Sequence, residues 1–279
     1  MGTLYVVATP IGNLKDVTLR ALEVLRQVDL IAAEDTRVTR VLLQTYHIDT
    51  PMTSYYEHNK LQKLDRILAT LTEGDVALVS DAGTPGINDP GYELIRAVLA
   101  AGYPVRVVPG PSSPIAALVI SGLPTDRFLY LGYAPRRSSE RRRRFEEVRW
   151  EPGTLIFLET PHRLLACLED AVQVFGGERD CAVARELTKV HEEVFRGTLQ
   201  QALHHYRRHP PRGEIVLLIA GAKAPPPAVD PSRVQEGLAL LQEAGLSRAQ
   251  AARILARVLG IPRRQVYNMW PGENDSNQP

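Results

Sequence analysis

Six short apolar runs in this chain end in residues able to do chemistry. Residues 4–8 close on Thr9-Pro10, residues 29–33 on Glu34-Asp35 and residues 75–79 on Ser80-Asp81. Residues 105–108 close on Pro109 with Ser112-Ser113 just beyond, residues 154–158 on Glu159-Thr160, and residues 181–184 on Arg185-Glu186. A single acidic strand end is ordinary solvation. Repeated acidic and hydroxyl tips are harder to explain that way, because the carboxyl ends of parallel strands face one crevice in an open α/β sheet. In such a crevice Asp81 is suited to bonding hydroxyls or an amine of a ligand. Glu34 or Asp35 is placed to act as a base, and Arg37 or Arg185 to hold phosphate. His162 and His191 are acid–base candidates too, although a lone His beside a helix start more often caps or faces solvent. There is no G-x-S-x-G, no H-E-x-x-H and no Ser/His/Asp spacing, so hydrolase and metalloenzyme readings are weak. Cys167 and Cys181 are too few and too isolated for a disulfide framework or a zinc site, which fits a reducing cytosol and no metal.

Those tips need strands and helices to position them. Residues 75–91 give the pattern in miniature: an apolar run without helical spacing, Ser80-Asp81, then three Gly and two Pro that force a tight turn. Asp89-Pro90 reads as an N-cap and first-turn Pro opening a helix over 91–101. The loop is neither a P-loop nor a dinucleotide fingerprint. Further strands are expected at 51–56, 127–132, 193–197 and 214–220. Helices are expected at 18–27, from after Arg37 to 46, and at 60–72, 115–121, 138–148 and 162–175. Alternation of strand and helix implies a mostly parallel sheet in residues 1–121. Gly122-Leu123-Pro124 suggests a boundary, with a second α/β unit of more antiparallel character in 122–224. A Pro/Ala linker is expected at 225–231. Three helices over 232–270 follow, the last two with helix-turn-helix rhythm, serving either RNA contact or packing. Residues 271–279 read as a disordered tail.

The chain has 279 residues, 44% hydrophobic, with no 18-residue apolar run and no basic-apolar-small leader; a soluble cytoplasmic protein without membrane contact is expected. Net charge is only +1, but its distribution is uneven. Only five of the 33 basic residues are Lys. The Arg residues crowd at Arg136, Arg137, Arg141, Arg142, Arg143 and Arg144, a pattern suited to phosphate, partly neutralised by Glu140, Glu146 and Glu147. The residues alone thus reach a two-domain α/β enzyme with a cleft ligand and an Arg patch.

Six motifs, in order, carry a closer likeness. They are Ala8-Thr9-Pro10-Ile11-Gly12-Asn13-Leu14-Lys15-Asp16, Ala33-Glu34-Asp35-Thr36-Arg37, Ser80-Asp81-Ala82-Gly83-Thr84-Pro85-Gly86, Val108-Pro109-Gly110-Pro111-Ser112-Ser113, Glu159-Thr160-Pro161-His162-Arg163 and Ala184-Arg185-Glu186-Leu187-Thr188-Lys189. Together they resemble the ribosomal RNA small-subunit methyltransferase I family of the tetrapyrrole methylase superfamily. The resemblance runs over residues 4–220, and the trailing helices resemble the tail many members carry. It implies two α/β domains with S-adenosyl-L-methionine in the cleft between them, a homodimer, and 2′-O-methylation of a cytidine in the decoding region of 16S rRNA or the small subunit. It implies cofactor contacts at Pro10, Ser80, Asp81, Ala82, Gly83, Thr84, Ser112, Ser113, Glu159, Arg185, Glu186 and Leu187. The superfamily's acidic residue after the second strand matches Asp35. Asp35 or Glu34 is then the expected base, with Lys189, Arg37 and Arg185 balancing charge or gripping phosphates. A tetrapyrrole methyltransferase of the same fold and a non-catalytic RNA-binding scaffold stand as alternatives.

Overall fold

The computed structural model describes residues 1–56, 60–223, 230–261 and 263–270. Residues 225–229 of the expected linker and the expected tail at 271–279 lie outside the described residues. One compact unit comprises Met1–Arg149 with Gly153–Ala220, and a second comprises Gly221 onward with Trp150–Pro152.

The first unit holds two sheets. In the first, β1 (Leu4–Val7), β2 (Leu30–Ala33), β3 (Met52–Ser54), β4 (Val76–Val79) and β5 (Val105–Val108) run in the order β3-β2-β4-β1-β5. Every pairing is parallel; the inner strands β2 and β4 are buried along their whole length and β1 nearly so, which is why they read as continuous apolar runs. Their side chains alternate. Val7, Ile31, Ala33, Ala77, Val79 and Val108 pack beneath α1 (Leu19–Gln27) and α2 (Thr36–Thr45). Leu4, Leu30, Ala32, Val76 and Leu78 pack on the opposite face beneath α3 (Lys60–Glu73) and α4 (Tyr92–Ala100). The chain therefore leaves the neighbouring strands β1 and β4 towards opposite faces, and a crevice opens between their carboxyl ends. Thr9 and Gly83 bridge it at the base, each amide donating to the other's carbonyl at 2.8 and 3.0 Å.

The second sheet has the order β6-β7-β10-β8-β9, from β6 (Phe128–Tyr133), β7 (Thr154–Glu159), β8 (Asp180–Arg185), β9 (Glu193–Thr198) and β10 (Ile215–Ile219). Only β6–β7 is parallel. One face packs on α6 (Ser138–Glu147), α7 (Pro161–Phe175) and α8 (Leu199–Arg208) around Phe145, Phe157, Leu168 and Tyr206. The other face takes Ala117 and Leu118 of α5 (Ser113–Ser121), along with Ile11 and Leu187. A boundary at residue 121 therefore cuts α5 from the sheet it covers: the helix follows β5 in sequence but buries its apolar side on β7, β8 and β10.

Two local expectations are corrected. Helix α8 was not anticipated, although Thr198 and Gln201 form a reciprocal capping box at its start, a T-x-x-Q signal visible in the sequence. Asp89 is not a helix cap. Asn88 and Gly91 adopt φ of 64° and 147°, the chain turns once more, and α4 starts only at Tyr92 with Gly91 as an N-cap lacking a side-chain bond.

In the second unit, α9 (Pro231–Glu243), α10 (Arg248–Leu259) and α11 (Arg263–Asn268) bury Val234, Leu238, Ala251, Ala252 and Val266 in a small core. Gly260 in the left-handed conformation ends α10 and turns the chain into α11.

Candidate active site

The tips of β1, β2 and β4 are tied together by their own backbone. The Asp81 amide donates to Glu34 Oε2 at 3.2 Å, and the Asp35 amide donates to Asp81 Oδ1 at 3.0 Å. Thr9 Oγ1 donates to the Ser80 carbonyl at 3.1 Å. The glycine turn after β4 then folds over, with Thr84 Oγ1 donating to the Pro111 carbonyl at 3.3 Å. At its tip Gly83 takes a φ of 78°, a conformation that a side chain would strain.

These tips form one wall of a cavity of about 350 Å³, within the size range of small-molecule sites. Glu34, Asp81, Ala82, Gly83, Thr84, Ser112 and Ser113 line it from the first sheet's side. Glu159, Leu187, Tyr130, Tyr133 and Glu214 line it from the second. Ile11, Leu158 and Val216 add apolar surface. The lining holds five carboxylates, those of Glu34, Asp81, Asp89, Glu159 and Glu214, and not one Lys, Arg or His among the described residues.

Crowded, half-buried carboxylates resist ionisation. Burial first, then neighbouring negative charge, pushes Asp89 up to about 7, although a bond from the Ser80 hydroxyl opposes the rise. Burial likewise raises Glu34, Asp81 and Glu159 above the usual carboxylate range. The buried Glu159 accepts from the Thr160 amide at 2.8 Å and pairs with Arg163 at 2.9 Å. Tyr130 is pushed up to about 12, mainly by burial, and its hydroxyl oxygen is buried without a hydrogen-bond partner among the described residues. A polar ligand group or a water in the cavity would satisfy it.

Several sequence candidates fall outside this lining. Ser80 and Pro10 are buried behind it. Asp35 caps α2, accepting from the Arg37 amide at 2.8 Å, and pairs with the Arg37 side chain at 2.6 Å. That side-chain bond is the largest cause holding its carboxyl down at about 2. Arg185 bonds Glu193 on the next strand, with Nε to carboxylate at 2.8 Å, so its fork is already occupied. Lys189 bridges Glu186 at 2.9 Å and Glu214 at 3.5 Å. It borders a separate open groove with Asn13, Lys15 and Tyr46. Sequence reasoning missed Asp89, Asn88, Tyr130, Tyr133 and Glu214. Asp89 carried a competing helix-cap reading, and nothing in the local pattern of the other four pointed inward.

The Arg cluster divides as well. On α6, Arg141 and Phe145 share the inward face, and Arg141 is 3% exposed. Its Nε donates to Asp170 at 2.8 Å, and its remaining donors reach the carbonyls of Pro135, Arg136 and Ala166. It therefore holds the fold and presents nothing to a phosphate, a correction of the sequence expectation. Arg142 bonds Gln173 at 2.9 Å, Arg144 pairs with Glu147 at 3.1 Å, and Arg137 pairs with Glu140 at 3.5 Å. Arg136 and Arg143 are exposed.

The fold and this cavity define a class. Residues 3–203 match the family model described as Tetrapyrrole (Corrin/Porphyrin) Methylases. A Thermus thermophilus uroporphyrin-III C-methyl transferase solved with S-adenyl homocysteine superposes with a TM-score of 0.56 at 18% identity, covering 79% of this chain and 97% of that one. The chain is 48% identical to a Synechocystis ribosomal RNA small subunit methyltransferase I, over 96% of this chain and 97% of the relative. A Thermotoga maritima protein of the same name is 46% identical over 222 residues, 79% of this chain but 99% of its own length. The chain belongs to the ribosomal RNA small subunit methyltransferase I family within the tetrapyrrole methylases.

Proposed function

We propose that the protein transfers a methyl group from S-adenosylmethionine to the ribose 2′-oxygen of a cytidine in the decoding region of 16S rRNA. The observation that carries this reading is the near full-length identity to a ribosomal RNA small subunit methyltransferase I. The cavity supports the cofactor independently. Glu159 pairs with Arg163 and Glu214 with Lys189, but Glu34, Asp81 and Asp89 form no ion pair among the described residues and suit a ligand bearing a sulfonium and an ammonium, and the Tyr130 hydroxyl offers a further polar contact. Asp81 and Asp89 would hold the positive charge. Thr84, Ser112 and Ser113 would meet the ligand's carboxylate and hydroxyls, at the start of α5 where no side chain caps the helix. Ile11, Leu187 and Val216 would flank the adenine.

When bound, the cofactor supplies an electrophilic methyl group. The protein's part is to orient the ribose, exclude water and take the proton. Glu34 is the proposed base. It lines the cavity, and its raised carboxyl is a better proton acceptor than Asp35, which is held at about 2 and engaged by Arg37. Lys189 balances charge beside Glu214. Arg136 and Arg143, with Arg37, Arg137, Arg142 and Arg144 after exchange of their present partners, grip flanking phosphates. The protein works in the cytoplasm as a homodimer. In support, α5 exposes Ile115, Val119 and Ile120, and the edge strand β5 exposes Val107. Among the described residues no helix is long and apolar enough to cross a membrane.

The test is transfer of labelled methyl to small ribosomal subunits, with a porphyrinogen as control and mapping of 2′-O-methyl positions. Label on a cytidine ribose of 16S rRNA is expected; label on the porphyrinogen alone would overturn the reading. Glu34→Gln should bind cofactor but lose about 10²–10⁴-fold in turnover. Near-normal turnover would remove Glu34 from the role.

A further inference from the structure

No residue of the second unit lines the cavity, yet its helices α10 and α11 together carry five Arg and no acidic residue. Residues 231–270 contain six Arg and no Lys, against only Glu236 and Glu243. Two of the six are spent internally. Arg248 stacks on the Tyr267 ring at 4.2 Å and donates to its carbonyl, and Arg263 donates to the Ala249 carbonyl at 3.4 Å. Arg253, Arg257 and Arg264 are exposed and form no ion pair among the described residues. Arg253 and Arg257 stand one turn apart on α10, so they share a face. Ile254 and Val258, 38% and 73% exposed, stand one turn apart beside them. The opposite side of α10 is consumed by the small core through Ala251, Ala252 and Leu255. The outward stripe of α10 is thus basic and apolar at once, and α11 adds Arg264 and Gln265 beyond a tight glycine turn.

The family match ends at residue 203, inside the first unit.

We infer that the α10–α11 helix pair is an auxiliary RNA-docking surface, with Arg253, Arg257 and Arg264 contacting backbone phosphates of small-subunit rRNA. Unpaired arginines on one helix face suit a polyanion, and Ile254 and Val258 give flat apolar contact to sugars or unstacked bases beside them. The inference rests on the rRNA reading above. It adds a second contact area, built from residues that do not line the cavity, that strengthens substrate binding and leaves the methyl-transfer step untouched.

The test uses the full chain carrying Arg253→Ala, Arg257→Ala and Arg264→Ala together. Binding to assembled small subunits and to naked 16S rRNA is measured from 50 to 200 mM salt, alongside methyl transfer and cofactor affinity. The variant is expected to fold normally, to bind cofactor as before and to keep its turnover at saturating substrate. Its KM should rise about tenfold or more, and its log–log salt slope should fall by about 3, one for each lost phosphate contact. An unchanged slope and KM would overturn the inference. So would a loss confined to assembled subunits with naked rRNA unaffected, which would assign the face to a ribosomal protein. Failure of the wild-type chain to methylate either substrate would instead count against the rRNA reading itself.

Discussion

Asp89→Asn separates the charge account of the cavity from a merely structural one. The Asp89 carboxyl sits at about 7 in the folded protein against an ordinary 3.8. Three pH units at about 1.4 kcal/mol each give an upper figure of about 4 kcal/mol. Water reaches part of this cavity, so about 2 kcal/mol is expected. The sign follows from the direction of the shift. Below the ordinary value the group is neutral in both folded and unfolded chains and has no effect. Above about 7 it is charged in both, and the folded state bears the whole penalty of a buried carboxylate among Glu34, Asp81 and Glu214. Wild-type stability without cofactor should therefore fall through this group between pH 4 and 7. Asparagine keeps a similar shape, can still bond Ser80 and bears no charge. The variant should melt about 4 °C higher than wild type at pH 8, with the gap roughly halved at pH 5. A bound sulfonium reverses the balance by favouring the charged form. Wild type should release a proton on binding S-adenosylmethionine near pH 7, measurable by calorimetry in buffers of different ionisation enthalpy, and should bind it more weakly at pH 5. The variant should release less and bind more weakly at pH 8. A melting gap independent of pH, or identical proton release by both proteins, would refute the reasoning.

Other substitutions test neighbouring parts of the structure. Arg141→Ala leaves Asp170 charged and unpaired in the interior, so a loss of about 3–5 kcal/mol is expected in denaturant unfolding; an exposed phosphate-binding arginine would show less than 1. Arg136→Ala with Arg143→Ala should leave unfolding unchanged while lowering the salt slope of RNA binding by about 2, and an unchanged slope would remove them from the RNA surface. Gly132→Ala places a Cβ 2.7 Å from the Asn88 side chain at a φ of 65°. It should cost about 1–2 kcal/mol and weaken cofactor binding through the displaced loop, whereas wild-type affinity would show that Asn88 does not shape the cavity. Tyr130→Phe should leave stability unchanged or raise it, since the hydroxyl it removes is buried and unpartnered among the described residues, and should weaken cofactor binding if that hydroxyl meets the ligand.

Most strands and helices, though not α8, were legible in the local pattern. Continuous apolar runs at residues 30–33 and 76–79 specify strands covered on both faces, and their Glu34 and Ser80-Asp81 endings place polar groups at the crevice side of a parallel sheet. The helix-turn-helix rhythm around Gly260 was equally legible, because local periodicity and glycine chemistry suffice for it. Tertiary structure decided which of those polar groups became partners and which stayed available. Asp35 and Glu34 are adjacent in sequence, yet one is clamped by Arg37 and the other turns into the cavity. Arg141 and Arg143 stand two apart in one basic run, yet a 200° rotation around α6 buries the first against Asp170 and leaves the second in water. Asp89 and Glu214 are 125 positions apart, and only the packing of the two sheets brings them to one cavity. Local pattern records which face a residue occupies; the charge state of a carboxylate depends on neighbours that the fold brings in from far along the chain.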